Sequence, residues 1–475
     1  MERLIPDGKL RFKSSSEISS SRIGIGFEKL DRAVFDPEKA YDMVSRIGIK
    51  KIRLQSGWQR TEKEKGIYDF TWLDDIINNL VKRGMEPWLC LCYGNPLYTE
   101  LAKKVFGAVG CPPVETEEEY SAWLNYVSAV AERYRGIISV YEIWNEPDCG
   151  YSWKHADGAS PDLLTVAAEY GEFCVRTARA LKSTNSDARA VANIAHLADL
   201  RFVHNMLAAP GFCDAVDYVS YHCYSASVRK RHDQIDALRR LINMHDPRIG
   251  LIQGESGTQS RSDGAGALRQ LAWSPVKQTK LLLRILLQDL HAGVEFTSYF
   301  STMDMIEALH GRVDDKASYL DYGYFGVISA TFDEDGRATG NYTEKPSYYA
   351  LSALCSLFEG DVKPCDIPTS REVLPSKRVN GYDCDADTIR AYGYLLPDGR
   401  RVLAYWNDVD ILTATYEGTV TFCLFGTDKD SLSIVDLADG SVYKLPDSMV
   451  EETGHGGLRL KNLPISDSPV ALVFS

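Results

Sequence analysis

The chain has 475 residues, of which 44% are hydrophobic and 25% charged, with a formal charge of −13. That length suits one large domain and a smaller one, and the acidic balance excludes nucleic acid or an anionic membrane as the main partner, since phosphate binding needs clustered Lys and Arg. No apolar run is long enough to span a bilayer, the charged opening "MERLIPDGKLRFKSSSE" lacks a secretory apolar core so a cytoplasmic setting is expected, and the eleven cysteines read as free thiols.

In chain order, β-rich segments fall at residues 22–27, 50–55, 86–93, 138–145, 188–194, 216–224, 249–254 and 294–300. Most are near-continuous apolar runs, as expected of parallel strands covered by helices. The segments between them carry helical period. After Glu118 the apolar residues Tyr120, Trp123, Leu124, Val127, Val130, Ala131 and Tyr134 form one stripe, and "TEEE" at 116–119 has capping-box spacing. "RIGIK", "KRGME" and "HAGVE" each place a Gly stop before the next strand. Eight such units predict a (β/α)8 TIM barrel over residues 21–360. Beyond it, "TIRAYGYLLPDGRRVLAYWN" reads as a hairpin turning at Pro397-Asp398-Gly399, followed by short strands with Asp and Gly turns. Residues 361–475 are therefore expected to form an antiparallel β-sandwich, and within the N-terminal extension 1–20 the segment 8–14 is expected to add a strand to it.

In a barrel the working residues lie at the C-terminal ends of strands. Those ends carry Arg53, Tyr93 and Asn95, Asn145 and Glu146, His222 and Tyr224, Glu255, and Tyr299. Glu146 and Glu255 end the fourth and seventh strands, on opposite sides of an eight-stranded mouth. Two carboxylates flanking one bond are what glycoside hydrolysis needs, one to protonate the leaving oxygen and one to attack the anomeric carbon. Arg53 is placed to keep Glu255 ionised, with His222 or Tyr224 orienting it, and Asn145 to contact a sugar hydroxyl. Glu142, on the same strand as Glu146, is expected to be a paired carboxylate of the barrel interior. Trp58, Tyr93, Trp153, Tyr299 and Phe300 are candidate sugar platforms, and the long segment 301–343, with Tyr319, Tyr322, Tyr324 and Phe325, is expected to wall the cleft. No metal or organic cofactor is needed for this chemistry; the partner expected is a carbohydrate substrate, and self-association stays open.

"YEIWNEP" resembles the acid/base motif of clan A glycoside hydrolases, in particular family 39, which includes β-xylosidases. The segment from "GIKKIRLQSGWQRTEKEKGIYDFTW" to "LCLCYGNP" is similar to the second and third strands of that clan, and "KPSYYAL" is also similar to a stretch near the barrel end. The resemblance implies Glu146 as general acid/base, Glu255 as nucleophile, Asn145, Arg53, His222 and Tyr224 in support, and net retention. The sequence departs from the family after the nucleophile, where "GESGTQSRSDGAGAL" gives Ser256, Gly257 and a Gly-rich loop in place of a bulky aromatic residue. Exo action on a β-linked glycoside is the leading expectation. An endo-acting glycanase and a glycan-binding protein without turnover are the alternatives.

Overall fold

Eight parallel strands close into a barrel in the computed structural model of the protein, in which residues 4–197, 199–373, 388–454 and 456–475 are described. They are Ile23–Gly26, Lys51–Gln55, Glu86–Leu91, Val140–Ile143, Arg189–Ile194, Tyr218–His222, Gly250–Ser256 and Thr297–Tyr299, the first to eighth barrel strands below. Each pairs in parallel with its successor, and the eighth closes on the first. Seven lie inside the segments expected from sequence. The seventh runs further, to Ser256, and so carries Glu255 within the strand.

That extension has a local cause. The register between the sixth and seventh strands shifts at Gly254, so that Glu255 stands opposite His222. A β-bulge of this kind re-aims the side chain that follows it. Only glycine fits there: a Cβ on Gly254 would lie 2.1 Å from Ser220 Oγ, 2.9 Å from Glu142 Oε1 and 3.1 Å from His222 Nε2.

The helices cover the outside of the barrel. Glu117–Arg133 starts where Thr116 Oγ1 accepts from the Glu119 amide, and it buries Tyr120, Trp123, Val127 and Val130. Pro275–His291 starts at Ser274 with a proline in its first turn. It is buried almost all round, because the barrel covers one side and the C-terminal sheets the other. No helix among the described residues is long and apolar enough to cross a membrane.

Among the described residues, the C-terminal region forms two antiparallel sheets, one of seven strands that includes an N-terminal strand and one of four. Leu403, Tyr405, Ile434 and Leu472 from the larger sheet meet Val420, Phe422, Leu424 and Leu460 from the smaller in a shared apolar layer, which makes a sandwich. The hairpin Ile389–Leu395 and Arg401–Asn407 turns at Gly399 as expected. The N-terminal strand does join this sandwich, but as Ile5–Lys9 on Ser441–Lys444, earlier than expected. After Leu10 the chain leaves for the barrel, where the Ser15 amide bonds Ser45 O. Arg284, buried in the helix Pro275–His291, is the joint between the two layers. Its guanidinium donates to Asp408 Oδ1 and to the carbonyls of Asn407, Val409 and Asp467.

Candidate active site

Arg53 is the centre of the mouth. It lies in the middle of the second strand rather than at its end, is fully buried, and its Nε donates to Glu142 Oε2 at 2.8 Å. Nη1 donates to Glu255 Oε2 at 2.9 Å and lies 2.7 Å from Glu28 Oε1, and Nη2 donates to Asn145 Oδ1 at 2.8 Å. One planar fork on the second strand thus holds residues in or just after the first, fourth and seventh strands. Tyr224 donates a second hydrogen bond to Glu255, through Oε1.

Glu146 approaches from the fourth strand. Past Ile143 the backbone takes left-handed values at Trp144 (φ 64°) and Glu146 (φ 51°), a conformation costing about 1–3 kcal/mol for a non-glycine residue. The carboxylate accepts from His222 Nδ1 at 3.0 Å through Oε1, and from Tyr151 Oη at 3.2 Å through Oε2. Glu146, His222 and Glu255 each bring one nitrogen or oxygen within 4.8 Å of the others. A metal ion among them would meet the Arg53 guanidinium already on Glu255, and like charges at that range repel strongly.

Glu142 lies directly beneath. Burial opposes its charge, but Arg53 and then His222 hold it at about 2. It is the paired interior carboxylate expected from sequence, and it anchors both Arg53 and, through Asn193 Nδ2 at 3.0 Å, the fifth strand. Around the other two acids the balance depends on His222. With the ring protonated, burial opposes the charge on Glu146 but the imidazolium draws it below the usual carboxylate range. Glu255 is then pushed up to about 7, by burial first and the Glu28 charge second, against His222 and Arg53.

Not every expected residue reaches the mouth. Trp58 is fully buried, stacked between Tyr98 and Tyr126 with Nε1 bonded to Glu62, and is no platform. Asn95 is buried as well and shapes its own loop, with Oδ1 accepting from the Leu97 amide and Nδ2 donating to Glu62 O. Tyr299 points under the nucleophile loop, Oη to Thr258 O at 3.4 Å. Trp153 is likewise enclosed, with Nε1 on Glu169. Each sits near a strand end, but aromatic rings there also fill the layer between strands and helices. Tyr93 is buried too, edge-on to Trp144 and under Arg32.

Three contributors were not singled out from sequence: Glu28, Asn193 and Tyr151. Glu28 follows the first strand and Asn193 lies in the fifth, so reading the ends of all eight strands finds both. Tyr151 carries no such signal. Of the segment expected to wall the cleft, Phe325 stands on the nucleophile side, while Tyr319 stacks on Phe106 and Tyr322 packs on Phe332. Tyr224, Phe300 and Phe325 pack with centroids 5.3–6.1 Å apart. The Gly-rich loop after Glu255 is fastened to it, with the Ser260 amide on Tyr324 O, the Ala265 amide on Tyr322 O and the Tyr324 amide on Gln259 Oε1.

Comparison with known proteins gives the family and the fold. The sequence profile of "Glycosyl hydrolases family 39" matches residues 38–358. A β-xylosidase from Geobacillus stearothermophilus is 27% identical over 201 residues, which is 38% of this chain and only 36% of the xylosidase. A solved family 39 glycoside hydrolase from the gut symbiont Bacteroides cellulosilyticus shares the fold with a TM-score of 0.64 at 16% identity, over 98% of this chain and 83% of that one. For a family 39 β-xylosidase from Caulobacter crescentus the TM-score is 0.56 at 17% identity, over 99% and 98%. With the profile covering most of the barrel, the chain belongs to glycosyl hydrolase family 39.

Proposed function

We propose that the protein is a retaining glycoside hydrolase that removes β-linked sugars from the nonreducing end, with Glu255 as nucleophile and Glu146 as general acid and base. The observation that carries this reading is the spacing of the two carboxylates. One oxygen of each lies within 4.8 Å of the other. Retaining pairs stand about 5–5.5 Å apart, whereas inverting pairs leave about 6.5–9.5 Å for a water.

Glu255 attacks the anomeric carbon while Glu146 protonates the departing oxygen, giving a glycosyl ester on Glu255. Glu146 then takes a proton from water as that water attacks the ester. Arg53 and Tyr224 stabilise the Glu255 carboxylate with two donated hydrogen bonds. Asn145, with Oδ1 fixed by Arg53, offers Nδ2 to the hydroxyl beside the reacting carbon. Exo action fits two carboxylates that are each under a tenth exposed and bordered by the Tyr224–Phe300–Phe325 wall. The β-xylosidase relative makes β-xylosides the first substrates to try.

Azide rescue tests the roles. Glu146→Ala with azide should yield the β-glycosyl azide, and Glu255→Ala the α-azide. The same configuration from both variants would sink the assignment. A wild-type protein that binds glycans but cleaves no aryl glycoside would favour the binding-protein alternative.

A further inference from the structure

One buried amide touches most of what holds a proton in the site. Asn193 is fully buried on the fifth strand. Its Oδ1 accepts from the Glu146 amide at 2.6 Å, and its Nδ2 donates to Glu142 Oε1 at 3.0 Å. A backbone N–H only donates and an ionised carboxylate only accepts, so the amide group cannot be turned round. Nδ2 therefore aims its other hydrogen at His222 Nε2, 2.7 Å away. Two N–H groups cannot face each other at that distance, so Nε2 carries the lone pair. The single ring proton is then on Nδ1, 3.0 Å from Glu146 Oε1 and 3.6 Å from Glu255 Oε2.

The groups facing His222 pull the other way. Against burial, Glu255, Glu142 and Glu146 draw a second proton onto the ring, towards about 10. Ser220 Oγ and His222 Nε2 both border Gly254, 2.1 and 3.1 Å from where its Cβ would stand. A cationic ring needs an acceptor for Nε2–H. Glu142 Oε1 stands 3.5 Å away, and using it would require Asn193 to leave both of its own partners.

We propose that Asn193 is a positioning residue that keeps His222 neutral, with Nδ1–H on Glu146 Oε1, so that Glu146 carries its transferable proton on Oε2. The inference rests on Glu146 being the acid of the reaction. The proton that reaches the leaving oxygen is then Glu146's own, and it is restored from the attacking water; His222 donates a hydrogen bond throughout and gives up nothing. With the ring neutral, both acids lose the nearby imidazolium, but Glu255 keeps the hydrogen bonds from the Arg53 guanidinium and Tyr224, whereas Glu146 keeps only those from Tyr151 and the neutral ring. The one proton shared by the two acids belongs to Glu146.

Two measurements test this. In protein labelled with 15N-histidine, the His222 ring, assigned by its disappearance in His222→Gln, should show one protonated and one lone-pair nitrogen at neutral pH. Two protonated nitrogens would overturn the proposal, and this reading needs no turnover. In Asn193→Asp the new carboxylate accepts from Nε2 and makes the ring cationic. The alkaline limb of kcat/KM, which reports loss of the acid's proton, should then fall by about one pH unit. Turnover of a phenyl glycoside, which needs the acid, should drop at least tenfold more than that of the dinitrophenyl glycoside, which does not. Equal losses on both, or an unmoved limb, would overturn the proposal. Failure of the wild type on every aryl glycoside would instead defeat the hydrolase reading, and the 15N spectrum would still decide the state of the ring.

Discussion

Replacing Arg53 with methionine removes the cation shared by Glu28, Glu142 and Glu255 while keeping most of the side-chain volume. At about 4 Å and an effective dielectric near 20, one charge pair is worth roughly 4 kcal/mol, or about three pH units. That attraction acts in full on each of the three carboxylates Arg53 touches, and solvent and chain relaxation in the variant offset part of it, so the shift on Glu255 lies between about one and three units. Glu255 must be ionised to attack. The acid limb of kcat/KM on an aryl glycoside should therefore move up by about one unit or more, and activity at pH 6 should fall at least about tenfold. A second readout comes from Glu142. Its folded pKa of about 2 lies below the ordinary value of 4.5. The stability it lends is thus full above pH 4.5 and is lost as pH falls through about 2, about 3 kcal/mol in all. In Arg53→Met this acid-sensitive component should disappear from urea unfolding curves taken across that window. A folded variant with an unshifted acid limb would refute the view that Arg53 acts on the nucleophile, and would leave it as the partner of Glu142 alone.

Gly254→Ala should lower kcat more than tenfold and cost about 1–3 kcal/mol in denaturant unfolding, because its methyl would collide with Ser220 and crowd Glu142 and His222; wild-type kinetics in that variant would show that the bulge does not set the site. Arg284→Ala should destabilise the protein by about 2–4 kcal/mol by removing the donor to Asp408 Oδ1 and to three buried carbonyls; Arg390 stays on Asp408 Oδ2, and the variant should show a lower Tm and wild-type kcat below it. Unchanged stability would remove Arg284 as the joint between barrel and sandwich.

The barrel was legible because its strands are bounded on both sides. Apolar runs such as "EPWLCLCY" can only be covered strands, and the Gly stops at Gly48, Gly84 and Gly293 take the left-handed conformation that ends their helices. The convergence of Glu146 and Glu255 was legible for the same reason, since strand ends four and seven face one mouth. Aromatic residues were harder to place. Trp58 and Tyr299 sit where platforms are expected, and nothing in the local pattern separates a ring facing a cleft from one facing a helix. The position of Asn193 near a strand end was legible but its role was not: that lies in three hydrogen bonds to residues distant in sequence, which no local pattern reports. The bulge at Gly254 likewise depends on what stands on the neighbouring strand.

The fastening of the Gly-rich loop to the 322–326 segment bears on how this enzyme can change its preferences. Each loop supplies backbone groups that the other satisfies, so neither can be reshaped by itself without stranding a buried donor or acceptor. The wall beside the nucleophile is preformed, and a sugar must fit it as it stands. Selection for a bulkier glycone should thus yield paired substitutions in both loops rather than single ones, and libraries that vary only the residues after Glu255 should return the original preference.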